Sequence, residues 1–165
     1  MWNLWRNRTR SWSSTAPLLG AGLLGAEAVG IDSDSEAVEK ARENLASVEE
    51  EVGDLDVEFE VEDVKDLEME ADTSVTNPPF GIQRRDANRL FLRTAFGTAP
   101  VVYALLHRSE SNTRETQRFL ERFAADNGFE SKVLATYDFP LPRTQEFHSE
   151  EKKYIKVDLY RFVQV

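Results

Sequence analysis

A chain of 165 residues, 41% of them hydrophobic, fits one globular domain able to bury a core of its own. Thirty acidic against twenty basic residues give a net charge of -10, the wrong overall sign for a nucleic-acid surface, while the lack of cysteine excludes disulfides and thiolate metal sites and two histidines make a structural zinc site unexpected. No apolar run reaches the ~18 residues of a membrane span, since the best stretch, 17–29, is broken by glycines and Glu27, and no signal-peptide pattern opens the chain, so a soluble, cytoplasmic protein is expected.

In chain order, residues 1–16 stand apart, with all three Trp, three Arg, several Ser and Thr, no acid and no periodicity. They read as a disordered tail or as a start foreign to the domain, which is placed at 17–165. Residues 17–24 read as helix, 28–31 as a short buried strand, and 34–48 as a helix whose Ala37, Val38, Ala41, Leu45 and Val48 recur at helical spacing, with Ser33 or Asp34 as N-cap. Between Asp32 and Asp72 lies most of the excess acid, the pattern of a solvated face; with 6 Lys against 14 Arg it suits a salt-rich cytoplasm that screens charge.

Residues 57–61 alternate as a strand with one wet face, and 73–76 form a further strand that runs into a proline pair. A helix over 87–96, a buried strand over 101–106 and a helix over 115–127 closed by Gly128 follow. Strands at 132–137 and 155–162 flank a proline-rich connection, 139–142. Alternation of strand-length and helix-length segments predicts an α/β sheet.

Chemistry concentrates at Asn77-Pro78-Pro79-Phe80, directly after the strand 73–76. At ordinary residue usage, Asn-Pro-Pro-aromatic falls at a given position by chance on the order of once in 100,000, so a mere strand-ending turn is the weaker reading. An exocyclic amine conjugated to a ring is a poor nucleophile, and two acceptors aimed at its hydrogens draw the nitrogen toward tetrahedral geometry. The Asn77 side-chain oxygen and the Pro78 carbonyl suit that task. Pro79 keeps Pro78 extended, and Phe80 offers a ring face on which an extruded base can stack. The methyl donor that fits is S-adenosylmethionine, whose sulfonium supplies the leaving group, so no metal is called for. Two acids occupy the ends of neighbouring strands: Asp32, suited to ribose hydroxyls, and Asp63, which with the Val64 amide suits an adenine edge.

These segments resemble the methyltransferase-like 5 family of small-subunit ribosomal RNA adenine-N6 methyltransferases. The likeness runs through Leu19 to Ala26, Val29 to Asp32, Asp63-Val64, Asn77 to Gly81 with Gln83, Val102-Tyr103, His107, Phe139 to Pro142, Phe147-His148 and Val157 to Phe162. It implies a Rossmann-like class I fold, with a doubly wound, mostly parallel sheet and an antiparallel late strand. It further implies that Asp32, Asp63 and Val64 bind S-adenosylmethionine, that Asn77, Pro78, Pro79 and Phe80 are catalytic, and that a small zinc-binding activator protein joins along a sheet edge. The family's Asp-x-Gly-x-Gly-x-Gly loop falls at Thr9 to Thr15, where no glycine stands, so the first strand and its loop are expected to be degenerate or absent.

On the substrate side, Arg84, Arg85, Arg89 and Arg93 make a local basic patch suited to RNA phosphates, with Arg84 and Arg85 in the loop itself; His107, beside Arg108 at a strand end, suits the substrate mouth. Three functions stay open: RNA adenine-N6 methylation, methylation of DNA adenine or protein glutamine, and a noncatalytic or RNA-binding remnant, which the missing glycines favour.

Overall fold

The computed structural model of the chain describes residues 2–5, 15–78, 85–108, 113–140 and 154–165. Their elements, in order, are β1 (Trp2–Trp5), α1 (Thr15–Leu23), β2 (Ala28–Asp32), α2 (Ser35–Val52), β3 (Val57–Val61), β4 (Thr73–Thr76), α3 (Arg85–Thr98), β5 (Val101–His107), α4 (Thr113–Asp126), β6 (Phe129–Pro140) and β7 (Tyr154–Gln164). The strands form one sheet in the order β3-β2-β1-β4-β5-β7-β6. Pairings from β3 through β5 are parallel and those of β7 with β5 and β6 antiparallel, so a Rossmann-like doubly wound sheet ends in a late antiparallel hairpin.

One expectation is corrected. The first strand, expected to be degenerate or absent, is present: Trp2–Trp5 forms β1 inside the sheet between β2 and β4, pairing Trp2↔Val29 to Trp5↔Asp32 on one side and Leu4↔Thr76 on the other. The pairing runs through backbone amides and carbonyls, which any residue but proline supplies, so abnormal composition does not prevent it. The loop that follows β1 lies outside the described residues.

Helices α1 and α2 cover one face of the sheet, where Leu18, Ala21, Val38 and Ala41 meet Ala28, Val57 and Phe59. The other face holds α3 and α4: Phe91 meets Ile31 and Val64, while Leu92, Ala95, Leu120 and Ala124 meet Val102, Ala104 and Phe162. Within this second core Phe96 stacks on Phe129 at 4.2 Å and meets Phe162 edge-on at 5.2 Å. Gly128, at φ +79°, ends the turn after α4 in the left-handed region, as its helix-stop position requires. Asp34, rather than Ser33, caps α2, its side chain accepting the Glu36 N–H.

Gly30 on β2 is a close approach. A Cβ there would lie 2.5 Å from Phe59 Cδ1 and 2.6 Å from Leu18 Cδ1, both in the buried core. Gly30→Ala is therefore expected to lower stability by about 1–3 kcal/mol through overpacking, read as a fall in the urea midpoint at unchanged slope.

β6 outruns its expected span of 132–137 because β7 pairs with it from Phe129↔Gln164 to Pro140↔Tyr154, past a bulge between Val133 and Ala135. Pro140 is tolerated as the last residue, where no further ladder amide is needed. No described helix is long and apolar enough to cross a membrane.

Candidate functional site

Strand order reverses at β1, whose neighbours are β2 and β4, and a crevice for ligands opens at the carboxyl ends of the strands around such a reversal. Asp32 ends β2 level with Trp5, while Asn77 comes one residue after the pair Leu4↔Thr76. Asp32 and Asn77 thus stand at one level with β1 between them, two strand spacings or about 10 Å apart.

Asp32 is held by the start of α2. Its Oδ1 accepts the Asp34 N–H at 2.9 Å, and Asp34 in turn caps the helix through Glu36 N–H at 3.0 Å. The Asp32 carbonyl accepts the Glu62 N–H at 3.1 Å, tying the ends of β2 and β3 together. Asp63 follows in a turn of its own, with Oδ1 on the Lys65 N–H at 3.1 Å and its carbonyl on the Asp66 N–H at 2.9 Å. This turn leaves the Asp63 side chain exposed and buries Val64 against Ile31 and Phe91. Thr94 Oγ1 on α3 donates to the Val64 carbonyl at 3.2 Å, which fixes the turn against the sheet.

Asn77 and Pro78 are both buried at the end of β4. Asn77 Oδ1 has no hydrogen-bond partner among the described residues. A buried amide oxygen without a donor costs roughly 1–3 kcal/mol, and Ser74 Oγ and Thr76 Oγ1 on β4 likewise meet no partner among the described residues. Pro79, Phe80 and Arg84 lie outside the described residues. Arg85 opens α3. Arg89 Cζ rests 4.8 Å over the Phe119 ring of α4, and Arg93 is exposed. His107, half-buried, ends β5 opposite Val157.

For S-adenosylmethionine the polar groups present fit: a partly buried carboxylate at the end of β2 to accept hydroxyls, and a second carboxylate followed by the Val64 amide after β3.

One charged cluster comes together only in the fold. Asp158 on β7 is 2% exposed and bonds Thr136 of β6 at 2.6 Å and Arg108, just past β5, at 3.2 Å. Its signal was an acid at an inward position of an otherwise apolar strand, Val157-Asp158-Leu159-Tyr160. Close by, burial first, then Asp158 and then Glu121 push the Tyr160 hydroxyl up to about 12 against a relief from Arg108. The folded state therefore prefers neutral Tyr160, a contribution present in full below pH 10 and lost as pH rises toward 12. Tyr160→Phe is expected to flatten the decline of the urea midpoint between pH 10 and 12.

The RMKL-like methyltransferase domain family matches residues 20–132. The rRNA N6-adenosine-methyltransferase METTL5 of Danio rerio is 30% identical over 150 residues, 89% of this chain and 67% of the relative. A crystal structure of a candidate RNA methyltransferase from Pyrococcus horikoshii has a TM-score of 0.76 at 32% identity, over 99% of this chain and 74% of that one. Magnesium protoporphyrin IX methyltransferase from Synechocystis PCC 6803, solved with bound S-adenosylmethionine, shares the fold at 15% identity and a TM-score of 0.62, over 88% of this chain and 63% of that one. The chain spans about two thirds of the length of the curated relatives it matches.

Proposed function

Because the chain belongs to the RMKL-like methyltransferase domain family, and within it to the methyltransferase-like 5 group, we propose that it methylates adenine N6 in RNA, with small-subunit ribosomal RNA as the substrate class. The observation that supports this reading is the buried Asn77 Oδ1, which meets no donor among the described residues and could accept from an amino group.

In this reading Asp32 receives the ribose hydroxyls of S-adenosylmethionine, and Asp63 with the Val64 amide receives its adenine. When bound, the cofactor would supply a methyl group on a sulfonium, from which a neutral thioether is a good leaving group. The chain's own residues do the rest. Asn77 Oδ1 and the Pro78 carbonyl accept the two amino hydrogens of the target base, which localises the nitrogen lone pair and turns it toward the methyl group. Burial of both residues keeps water from competing for those hydrogens. Phe80 stacks on the extruded base, Arg84 and Arg85 meet flanking phosphates, and His107 lines the mouth. A small zinc-binding activator protein belongs to the same reading, and the sheet offers it two edges, β3 and β6. The acid-rich surface suits a salt-rich cytoplasm.

The test is incubation of the purified chain at high salt with labelled S-adenosylmethionine and either ribosomal RNA, duplex DNA or a glutamine-bearing peptide, followed by digestion and mass spectrometry. N6-methyladenosine in the RNA arm is expected. Methyl transfer confined to DNA or to glutamine would sink the RNA assignment.

A further inference from the structure

Asp158 is a carboxylate on the buried face of β7, between Leu106 of β5 and Thr136 of β6. Such a group is tolerated only when paired and hydrogen-bonded, and here the pairing is closed. Thr136 Oγ1 donates to Asp158 Oδ1 at 2.6 Å, while Arg108 Nη1 donates to the same oxygen at 3.2 Å and to Thr136 Oγ1 at 3.1 Å. The Arg108 backbone N–H also donates to the Lys156 carbonyl at 2.8 Å. Arg108 is thus pinned at its main chain and at one terminal nitrogen.

The other edge of the guanidinium meets nothing among the described residues. Of the five donors an arginine carries, those on Nη2 and Nε meet no partner among the described residues, and the side chain is 32% exposed against 3% for Asp158. A partly exposed arginine with one nitrogen anchored is a preorganised fork for a phosphate or carboxylate. A buried ion pair is itself weak evidence for stability, since apolar residues of similar volume do as well, so that edge calls for its own explanation.

Its location supplies one. Thr76 pairs with Ala104, so Asn77 is level with Leu105, and Arg108 lies three residues farther along the same direction, about 10 Å outward by strand rise. A nucleotide whose amino group meets Asn77 carries its sugar and phosphate outward, toward that rim.

We propose that Arg108 grips a backbone phosphate of the RNA at the mouth of the site, and that Asp158 and Thr136 are positioning residues that hold its guanidinium for that contact. The inference rests on the RNA methyltransferase reading above. Asp158 orders the side chain before binding, so the cost of immobilising it is met during folding.

The test pairs Arg108→Gln with Asp158→Asn, so that no charge is left buried without a partner, and sets it beside the parent and Arg108→Lys. Fluorescence anisotropy with a single-stranded RNA oligomer over a salt series is read with methyl-transfer kinetics, thermal melting and S-adenosylmethionine titration. The double variant is expected to melt and bind cofactor like the parent, to bind RNA about tenfold more weakly, and to lose about 0.7 from its log-log salt slope, the change for one phosphate contact on a single strand. KM for RNA rises while kcat holds, and Arg108→Lys falls between the two. Parental affinity and salt slope in the double variant would overturn the proposal. A parent that binds RNA through Arg108 yet transfers no methyl group upholds this inference and removes the catalytic reading; a parent that binds no RNA removes both.

Discussion

Replacing Asn77 by alanine is expected to lower the methyl-transfer rate by about 100- to 1,000-fold, the usual loss when one preorganised electrostatic partner of a reacting group is removed, while leaving the fold intact. The two halves of this expectation have separate grounds. The rate falls because the amino nitrogen loses the acceptor that localises its lone pair, and an aromatic amine is too weak a nucleophile to do without it. The fold survives because Asn77 Oδ1 has no hydrogen bond among the described residues to lose, and its burial without a donor is a cost that alanine relieves. Single-turnover methyl transfer and a thermal melt together check it. A large rate loss with an unchanged or raised melting temperature is the expected pair. A parental rate would remove Asn77 from the chemistry, and a collapsed melt would show that the side chain is structural.

That distinction was only half legible in the sequence. The motif named Asn77, because Asn-Pro-Pro-Phe after a strand is rare and each residue has a chemical use. Burial of the oxygen without a partner among the described residues depends on packing from β4 and its neighbours, which no local pattern records. β3 and β4 were legible to their boundaries, Val57–Val61 and Thr73–Thr76, the first because strict alternation marks it and the second because it runs into a proline pair. β1 was not: Trp2–Trp5 has no period to read, and its place is decided by the gap between β2 and β4 that a parallel sheet must fill. β6 was read short for a related reason, since its extra residues are strand only because β7 lies beside them. The Arg108, Thr136 and Asp158 cluster joins three strands far apart in the chain, so only the register of β5, β7 and β6 brings it together.

Asp32→Ala is expected to weaken S-adenosylmethionine binding by at least about 100-fold, since a carboxylate that receives two hydroxyls makes two charge-assisted hydrogen bonds of roughly 1.5–3 kcal/mol each. Alanine also removes the acceptor that holds the Asp34 N–H and so loosens the start of α2. Asp32→Asn is the cleaner variant, because its amide oxygen can keep that backbone contact while the charge and one acceptor are lost. Calorimetric titration at high salt should show saturable binding in the parent, a weakened site in Asp32→Asn and none in Asp32→Ala, with the asparagine variant melting like the parent. The parent's own result bears on Thr9 to Thr15, where the resemblance expects glycines and finds none. Saturable binding there means that the acids after β2 and β3 and the amide of Val64 hold the cofactor without a glycine cradle. No binding by the parent would mean that these groups, though placed at the strand ends, are too few to bind it, and catalysis by this chain would be ruled out whatever Asn77 can do.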